Sequence, residues 1–317
     1  MTSAASYDVV TMGRAGVDVY PHQVGVGLED VVSFGKYLGG SAANVAVAAA
    51  RYGRRTALVS RVGEDPFGRF VCRALRGFGV DDQFVQTVRD LATPVTFCEI
   101  FPPDDFPLYF YGRTPVAPDL MLRAEEMTGR VADAIRGAGV FWVTGTGLST
   151  EPSREATMAA LDVRGRRGST VFDLDYRPTF WASRDTARSA YAAALPLVSV
   201  AVGNLDECDV AVGEREPDAA AKALRAAGVD LAVVKQGPAG VRGDGAHGCV
   251  EVPPRSVEVV NGLGAGDAFG GALCHGLLAG WGLQRTLGFA NAAGALVASR
   301  LACADAMPTV EEVEELL

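Results

Sequence analysis

What the 317-residue chain lacks already removes several classes of protein. Histidine is scarce: His22, His247 and His275 are the only three, and none lies near a paired cysteine in sequence. The six cysteines, at 72, 98, 208, 249, 274 and 303, form no CxxC pair, so structural zinc is not supported and reduced, buried thiols are expected. Positive charge is also in deficit, with 29 Lys and Arg against 38 Asp and Glu, a net −9. An acidic chain offers no basic footprint for phosphate backbones, so nucleic acid is not an expected partner. No apolar run approaches the roughly 18 residues that a membrane span needs. The opening residues MTSAASYD carry neither a basic n-region nor an apolar h-region, and a cytoplasmic location is expected.

Two familiar nucleotide signatures are missing as well. GDGAHG at 243–248 matches G-x-G-x-x-G, but CVEVPP follows it, and a dinucleotide fingerprint must open a helix rather than a strand. A hairpin turn is expected there. No G-x-x-x-x-G-K-[ST] occurs; Lys36 follows Gly35 without the upstream glycine or the hydroxyl residue, which excludes a P-loop kinase.

What is present is apolar and glycine-rich. Apolar residues make up 49% and charged residues 21%, which excludes a disordered chain. The length allows one large α/β domain or two smaller ones, with core enough to need no disulfide or metal. Short β-branched runs at 8–13, 56–63, 139–145, 169–175, 198–204 and 230–237 read as buried strands. Helical stretches are expected at about 44–52, 67–78, 122–137, 152–165, 184–195, 217–227, 267–280 and 283–300. Their alternation predicts an α/β fold with a parallel sheet covered on both faces. Residues 17–38 and 93–113 break the alternation with short strands, turns and aromatics. They predict a small extra β element that forms a lid, or else an edge of the main sheet. No repeat or Pro/Ser linker divides the chain, and the motifs below span it, so one domain of 1–317 is expected.

The glycines cluster. In NGLGAGDAFGGALCHGLLAG (261–280), Gly264, Ala265 and Gly266 leave backbone N–H groups uncovered before a helix expected to begin near Asp267. Free amides and the positive end of the helix dipole make such a turn an anion site. Asp267 is then either an N-cap or a carboxylate placed to accept a hydroxyl proton. In GGSAANVAVAAARYGRR, Gly39 and Gly40 turn into a small-residue helix with Asn44 in its first turn. Packing explains the alanines; the amide, donor and acceptor at once, suits a polyol. GNLDEC (203–208) places Asn204 and Glu207 three apart, on one side of a helical turn. Their oxygens suit Mg²⁺ that keeps its waters, and they equally suit a capped helix start. KQGPAG (235–240) ends a strand in a glycine turn that could admit a nucleotide.

Taken together these residues resemble the ribokinase-like, phosphofructokinase-B type carbohydrate kinases. Gly39, Gly40, Asn44, Gly53 and Gly63 match one family signature, and Asn261-Gly262-Leu263-Gly264-Ala265-Gly266-Asp267 matches the other. The resemblance implies a three-layer α/β/α sandwich with a small β-sheet lid, and ATP-dependent phosphorylation of a sugar hydroxyl with Mg²⁺. It implies Asp267 as general base and Gly264, Ala265 and Gly266 as the anion hole. Asp18, Gly40 and Asn44 would bind sugar hydroxyls. Asn204 and Glu207 would organise Mg²⁺ and phosphate, with Glu207 acting through water. Lys235, Gly237, Gly240 and Asn291 would border the nucleotide. Asn261-Gly262 stand where the family usually has Asp-Thr, a region that helps many relatives hold a monovalent cation, so activation by potassium stays open. A homodimer through the lid is a further implication.

Within the family, GRAGVDVYP, FPLYFY, VFDLDYRPTFW and the Asn-Gly-Leu-Gly-Ala-Gly-Asp variant are most similar to the branch acting on 5-dehydro-2-deoxygluconate at its 6-hydroxyl, in myo-inositol catabolism. That substrate is a sugar acid. Arg177 would take its carboxylate, and Arg113 with Tyr109 and Tyr111 would add contacts from the lid. A 2-dehydro-3-deoxygluconate kinase, a fructokinase, and a non-catalytic sugar or nucleotide sensor are the alternatives.

Overall fold

The computed structural model describes residues 7–114, 116–246 and 248–317; His247 lies outside the described residues. The elements run β1 (Val9–Met12), β2 (Gly16–Pro21), β3 (Phe34–Gly39), α1 (Ser41–Arg51), β4 (Thr56–Gly63), α2 (Pro66–Gly77), β5 (Val80–Asp81), β6 (Val85–Val88), β7 (Val95–Cys98) and β8 (Leu108–Tyr111). They continue with α3 (Gly129–Gly137), β9 (Val140–Thr144), α4 (Ser153–Arg164), β10 (Ser169–Asp173), α5 (Arg184–Ala194), β11 (Val200–Asn204), α6 (Leu205–Val212) and α7 (Pro217–Ala226). The last are β12 (Leu231–Lys235), β13 (Val241–Gly245), β14 (Gly248–Val252), α8 (Ala265–Leu278), α9 (Leu283–Ala298) and α10 (Val310–Glu315).

Nine strands are ordered β14-β13-β12-β11-β10-β9-β1-β4-β5, with β6 also pairing with β4. All pairings are parallel except those of β13 and β14, where Gly245 stands opposite Gly248 in the expected hairpin. Alternate strand residues feed two cores. Val140 and Trp142 of β9 pack with α1, α2, α8, α9 and α10; Phe141 and Val143 pack with residues of α3 to α7. A sheet buried on both faces explains why these strands read as unbroken apolar runs.

Small residues on α1 and α8 let the two helices pack closely: a Cβ on Gly271 would stand 2.3 Å from the Ala48 Cβ, and one on Gly270 would meet Trp142. Those two glycines serve packing, in contrast to Gly264 upstream. The single helix expected over 122–137 is divided instead. A 3₁₀ turn covers Ala124–Glu126 and α3 starts after an extended Thr128, with Gly129 at φ +52°. Helix α10 and the short strands β5 and β6 have no counterpart among the expected elements, whereas α6 is the capped helix start that Asn204 and Glu207 suited.

The segments that broke the alternation form a separate four-stranded sheet, ordered β3-β2-β7-β8, and not an edge of the main one. Its inner residues Tyr20, Cys98 and Ile100 pack against Ala302, Cys303 and Ala306, with Phe106 and Leu263 at the margin. Cys98, Cys208, Cys274 and Cys303 are buried as expected, whereas Cys72 is half-buried and Cys249 exposed; among the described residues all six are free. Among the described residues no helix is long and apolar enough to cross a membrane.

Candidate active site

The chain runs outward from β1 to β4 and β5, then returns to build β9 to β12 on the other side of β1. Such a reversal opens a crevice at the carboxyl ends of the strands. Arg14 follows β1, Thr144 ends β9, Asp173 ends β10, Asn204 ends β11 and Lys235 ends β12.

At the phosphate end, helix α8 starts at Ala265, two residues before the expected point, and its N-cap is Gly264. Gly264 is left-handed at φ +81°, and a Cβ there would stand 2.6 Å from Cys303 Sγ. Glycine is therefore required on both counts. No side chain caps the helix, so its first N–H groups stay available to an anion. Asp267 is the third helical residue rather than the cap. Its carboxylate turns to α1, where Asn44 Nδ2 donates to Asp267 Oδ2 at 2.8 Å. Burial pushes the Asp267 carboxyl up to about 6, against the Asn44 hydrogen bond, which favours the charged form.

The sugar-side residues converge on this pair. Asp18 on β2 is buried and accepts a hydrogen bond from Tyr20 Oη at 2.7 Å; burial lifts its carboxyl to about 7, opposed by Tyr20 and Arg14. It lies against Gly39, whose Cβ would stand 2.2 Å from the Asp18 carboxylate. Gly40, at φ +96°, brings the backbone within 2.6 Å of the Arg14 carbonyl, measured from the Cβ it lacks. Asn44 Oδ1 is buried without a hydrogen-bond partner in the described structure, an acceptor left for a ligand.

The expected acid-binding residues part company. Arg177 pairs with Asp175 at 3.1 Å and stands 3.9 Å from Glu207, and these carboxylates hold its guanidinium even more firmly protonated than usual. Arg113 pairs with Asp119 at 3.3 Å and stacks over the Phe180 ring at 4.7 Å. Tyr109 and Tyr111 project to the opposite face of β8 from Phe110, which packs on Phe180. Tyr109 donates to Glu99 at 2.8 Å, and Tyr111, 59% exposed, meets Phe97 edge-on. No hydrogen bond among the described residues ties either tyrosine to Asp18, Asn44 or Asp267. They line the rim of a cavity of about 890 Å³ that also touches Arg113, Ser149 and Phe180.

Toward the nucleotide end, Asn204 and Glu207 form a reciprocal capping box: Glu207 N donates to Asn204 Oδ1 at 2.9 Å and Asn204 N to Glu207 Oε2 at 2.7 Å. The structural alternative is thus realised, leaving Glu207 Oε1 beside Arg177. Lys235 Nζ lies 3.5 Å from where a Gly266 Cβ would be. Burial works against its charge, but Asp173 and Glu207 outweigh it and raise its protonation range. Gly237 is left-handed at φ +57° with nothing within 4 Å of a Cβ, whereas Gly240, at φ +98°, fits against the Val252 carbonyl. Asn291 Nδ2 donates to the carbonyls of Val252 and Pro253 at 3.4 and 3.1 Å, so it orders the hairpin exit. Asn261, fully buried, accepts from Leu263 N at 3.0 Å and donates to the Leu301 carbonyl at 2.7 Å, pinning the approach to the anion turn.

Sequence reasoning missed Arg14, Tyr20, Asp173, Asp175, Phe180 and Cys303. Arg14 just after β1 and the two acids of DLD (173–175) at the end of β10 were the available signals. Tyr20 stands two residues from Asp18 on the same face of β2, and only Phe180 and Cys303 reach the site through long-range packing.

A family model for pfkB family carbohydrate kinases matches residues 6–310. The chain belongs to this family. As a pfkB-family protein it is a carbohydrate kinase with the ribokinase-like α/β architecture. It is 32% identical over 98% of its length, and 93% of the relative's, to a curated 5-dehydro-2-deoxygluconokinase of Geobacillus thermodenitrificans. With the Bacillus subtilis protein of that name it shares 31% identity, over 98% of this chain and 96% of that one. Among solved structures, a fructokinase with bound ATP from Xylella fastidiosa superposes with a TM-score of 0.84 at 25% identity, covering 98% of each chain.

Proposed function

We propose that this carbohydrate kinase transfers the γ-phosphoryl group of ATP to the 6-hydroxyl of 5-dehydro-2-deoxy-D-gluconate. The observation that carries the reading is the Asn44–Asp267 hydrogen bond, which joins the sugar-side helix to the anion turn at 2.8 Å. The curated relatives, named for that substrate, supply its identity.

Asp267, whose carboxyl burial lifts to about 6, takes the proton of the attacking hydroxyl. Amides of the Gly264–Gly266 turn and Lys235 face the charge carried by the transferring phosphoryl group, so most of the rate comes from positioning and electrostatics. Asp18, Gly40 and Asn44 orient the sugar, and Arg177 draws in the acid. Gly237 clears backbone for the nucleotide, Gly240 closes the turn against the Val252 carbonyl, and Asn291 holds its border.

Mg²⁺ suits the oxygen donors of Asn204 and Glu207 only through its waters. Two of their oxygens are committed to the capping box, and the described residues contain no cluster of three or more potential metal-ligating acids, histidines or cysteines. When bound with the nucleotide, the ion neutralises phosphate charge. Asn261 donates its amide to the Leu301 carbonyl in the region that helps many relatives hold a monovalent cation, so no potassium requirement is assigned.

The four-stranded sheet acts as the lid. Its outer aromatics Phe34, Phe97 and Tyr111, joined by edge contacts at 5.6 Å, form the face that meets a second copy. Sedimentation of the wild type and Tyr111→Glu tests that face, with the variant expected to be monomeric. For the reaction, the test is phosphorus NMR of the product formed from ATP, Mg²⁺ and 5-dehydro-2-deoxygluconate. A 6-phosphate ester with matching ADP is expected; absence of any ester would refute the assignment.

A further inference from the structure

Resting on the sugar-acid reading, we propose that Arg14, clamped by Asp175, receives the substrate carboxylate together with Arg177 and so selects acids over neutral sugars. Arg14 is 8% exposed, and a guanidinium buried that deeply is costly unless it is paired. Its pairing is elaborate. Nη2 donates to Asp175 Oδ2 at 2.8 Å and to Ser41 Oγ at 3.0 Å, and Nε donates to Thr146 Oγ1 at 3.2 Å. Nη1 makes no hydrogen bond among the described residues. The Arg14 carbonyl, pressed against Gly40, also accepts from Ala43 N at 3.3 Å, which locks the residue to the sugar-side turn.

Asp175 is the shared partner. The same oxygen that binds Arg14 accepts from Ser41 and Thr146, while Oδ1 pairs with Arg177 at 3.1 Å. One carboxylate is thus divided between two guanidiniums, and Arg14 Nη1 is the donor that a second carboxylate would complete. Glu207 caps α6 through Oε2, and its Oε1, at 3.9 Å from Arg177, is near enough to share charge but beyond hydrogen-bond reach. Asp175 has a backbone φ of +32°, a strained conformation for a residue with a side chain, and such strain persists where surrounding contacts fix it for function. The first turn of α1 carries no acid and no side-chain cap, so its amides add to the same positive field. Phe180 closes the site: its ring lies 5.7 Å from Arg14 and 4.7 Å from Arg113. Arg113 is neutralised by Asp119, whereas Arg14 shares its carboxylate partner with Arg177.

The test compares kcat/KM for 5-dehydro-2-deoxygluconate and for D-fructose in the wild type, Arg14→Gln and Arg14→Lys. In Arg14→Gln the acid should lose about 30-fold more than the ketose, the scale of a charged hydrogen bond. Lysine keeps the charge but not the fork, so Arg14→Lys should recover only part of the preference. Equal losses on both substrates would overturn the proposal and make Arg14 a purely structural residue. If the Gln variant does not fold, Arg14→Lys and Asp175→Asn decide: a larger KM increase for the acid than for fructose supports the clamp, and equal increases refute it. A wild type that prefers fructose would instead reject the sugar-acid reading itself.

Discussion

At the phosphate end of the cleft the working parts are main-chain: a left-handed Gly264, an uncapped helix start, and glycines where a side chain would collide. At the sugar end they are side chains held by other side chains, with Asp18 on Tyr20, Asn44 on Asp267, and Arg14 and Arg177 on Asp175. Backbone amides cannot be retuned by mutation, which suits a step shared by every substrate. A side-chain network can be altered one residue at a time, which suits selectivity. Asp267 belongs to both ends, since it starts the phosphate-side helix and is held by the sugar-side one.

The contrast can be broken most severely at that junction. Asp267→Asn removes the proton acceptor and should lower kcat about 1,000-fold, with both substrates still bound, as equilibrium titration against turnover will show. Next in size is Gly264→Ala, which forces a Cβ onto Cys303 in a left-handed position. It should cut kcat about 100-fold on either an acid or a neutral substrate and cost about 1–2 kcal/mol in denaturant unfolding. Arg177→Met belongs to the other end and should behave oppositely. It should raise KM for the sugar acid about tenfold or more while leaving KM for ATP and turnover of fructose less affected. A uniform loss would erase the distinction between the two ends.

Smaller again is the effect of pH. Asp267 and Asp18 act as carboxylates, and burial lifts them to about 6 and about 7, so kcat/KM should climb as pH rises through that window. Asn44 stabilises the charged form of Asp267, so Asn44→Ala should move the limb upward by about one unit. Replacing potassium by sodium should change least, because the Asn261 amide already occupies the Leu301 carbonyl.

The two ends also differed in how legible they were. Gly264, Gly266 and Asp267 announced an anion turn because glycines that keep backbone bare leave a compact, ordered pattern. The six main strands and most helices were equally plain from apolar runs buried on both faces. What escaped was the network between distant segments. Arg14 and Asp175 lie 161 positions apart yet meet at 2.8 Å, and no local spacing signals that. Tyr109 and Tyr111 drew attention as aromatics, but strand alternation gives the inward place to Phe110. The helix expected across 122–137 missed the break at Thr128-Gly129, where glycine takes a positive φ. Asn204 and Glu207 fitted both metal and cap from spacing alone, and only hydrogen-bond directions revealed the cap.

The most direct measurement is ADP release by the wild-type enzyme with Mg²⁺ and ATP, scored as kcat/KM over 5-dehydro-2-deoxygluconate, 2-dehydro-3-deoxygluconate and D-fructose. A sugar-acid kinase of this build should prefer 5-dehydro-2-deoxygluconate to the other two by about tenfold or more. Preference for fructose, or no ADP release with either acid, would contradict it.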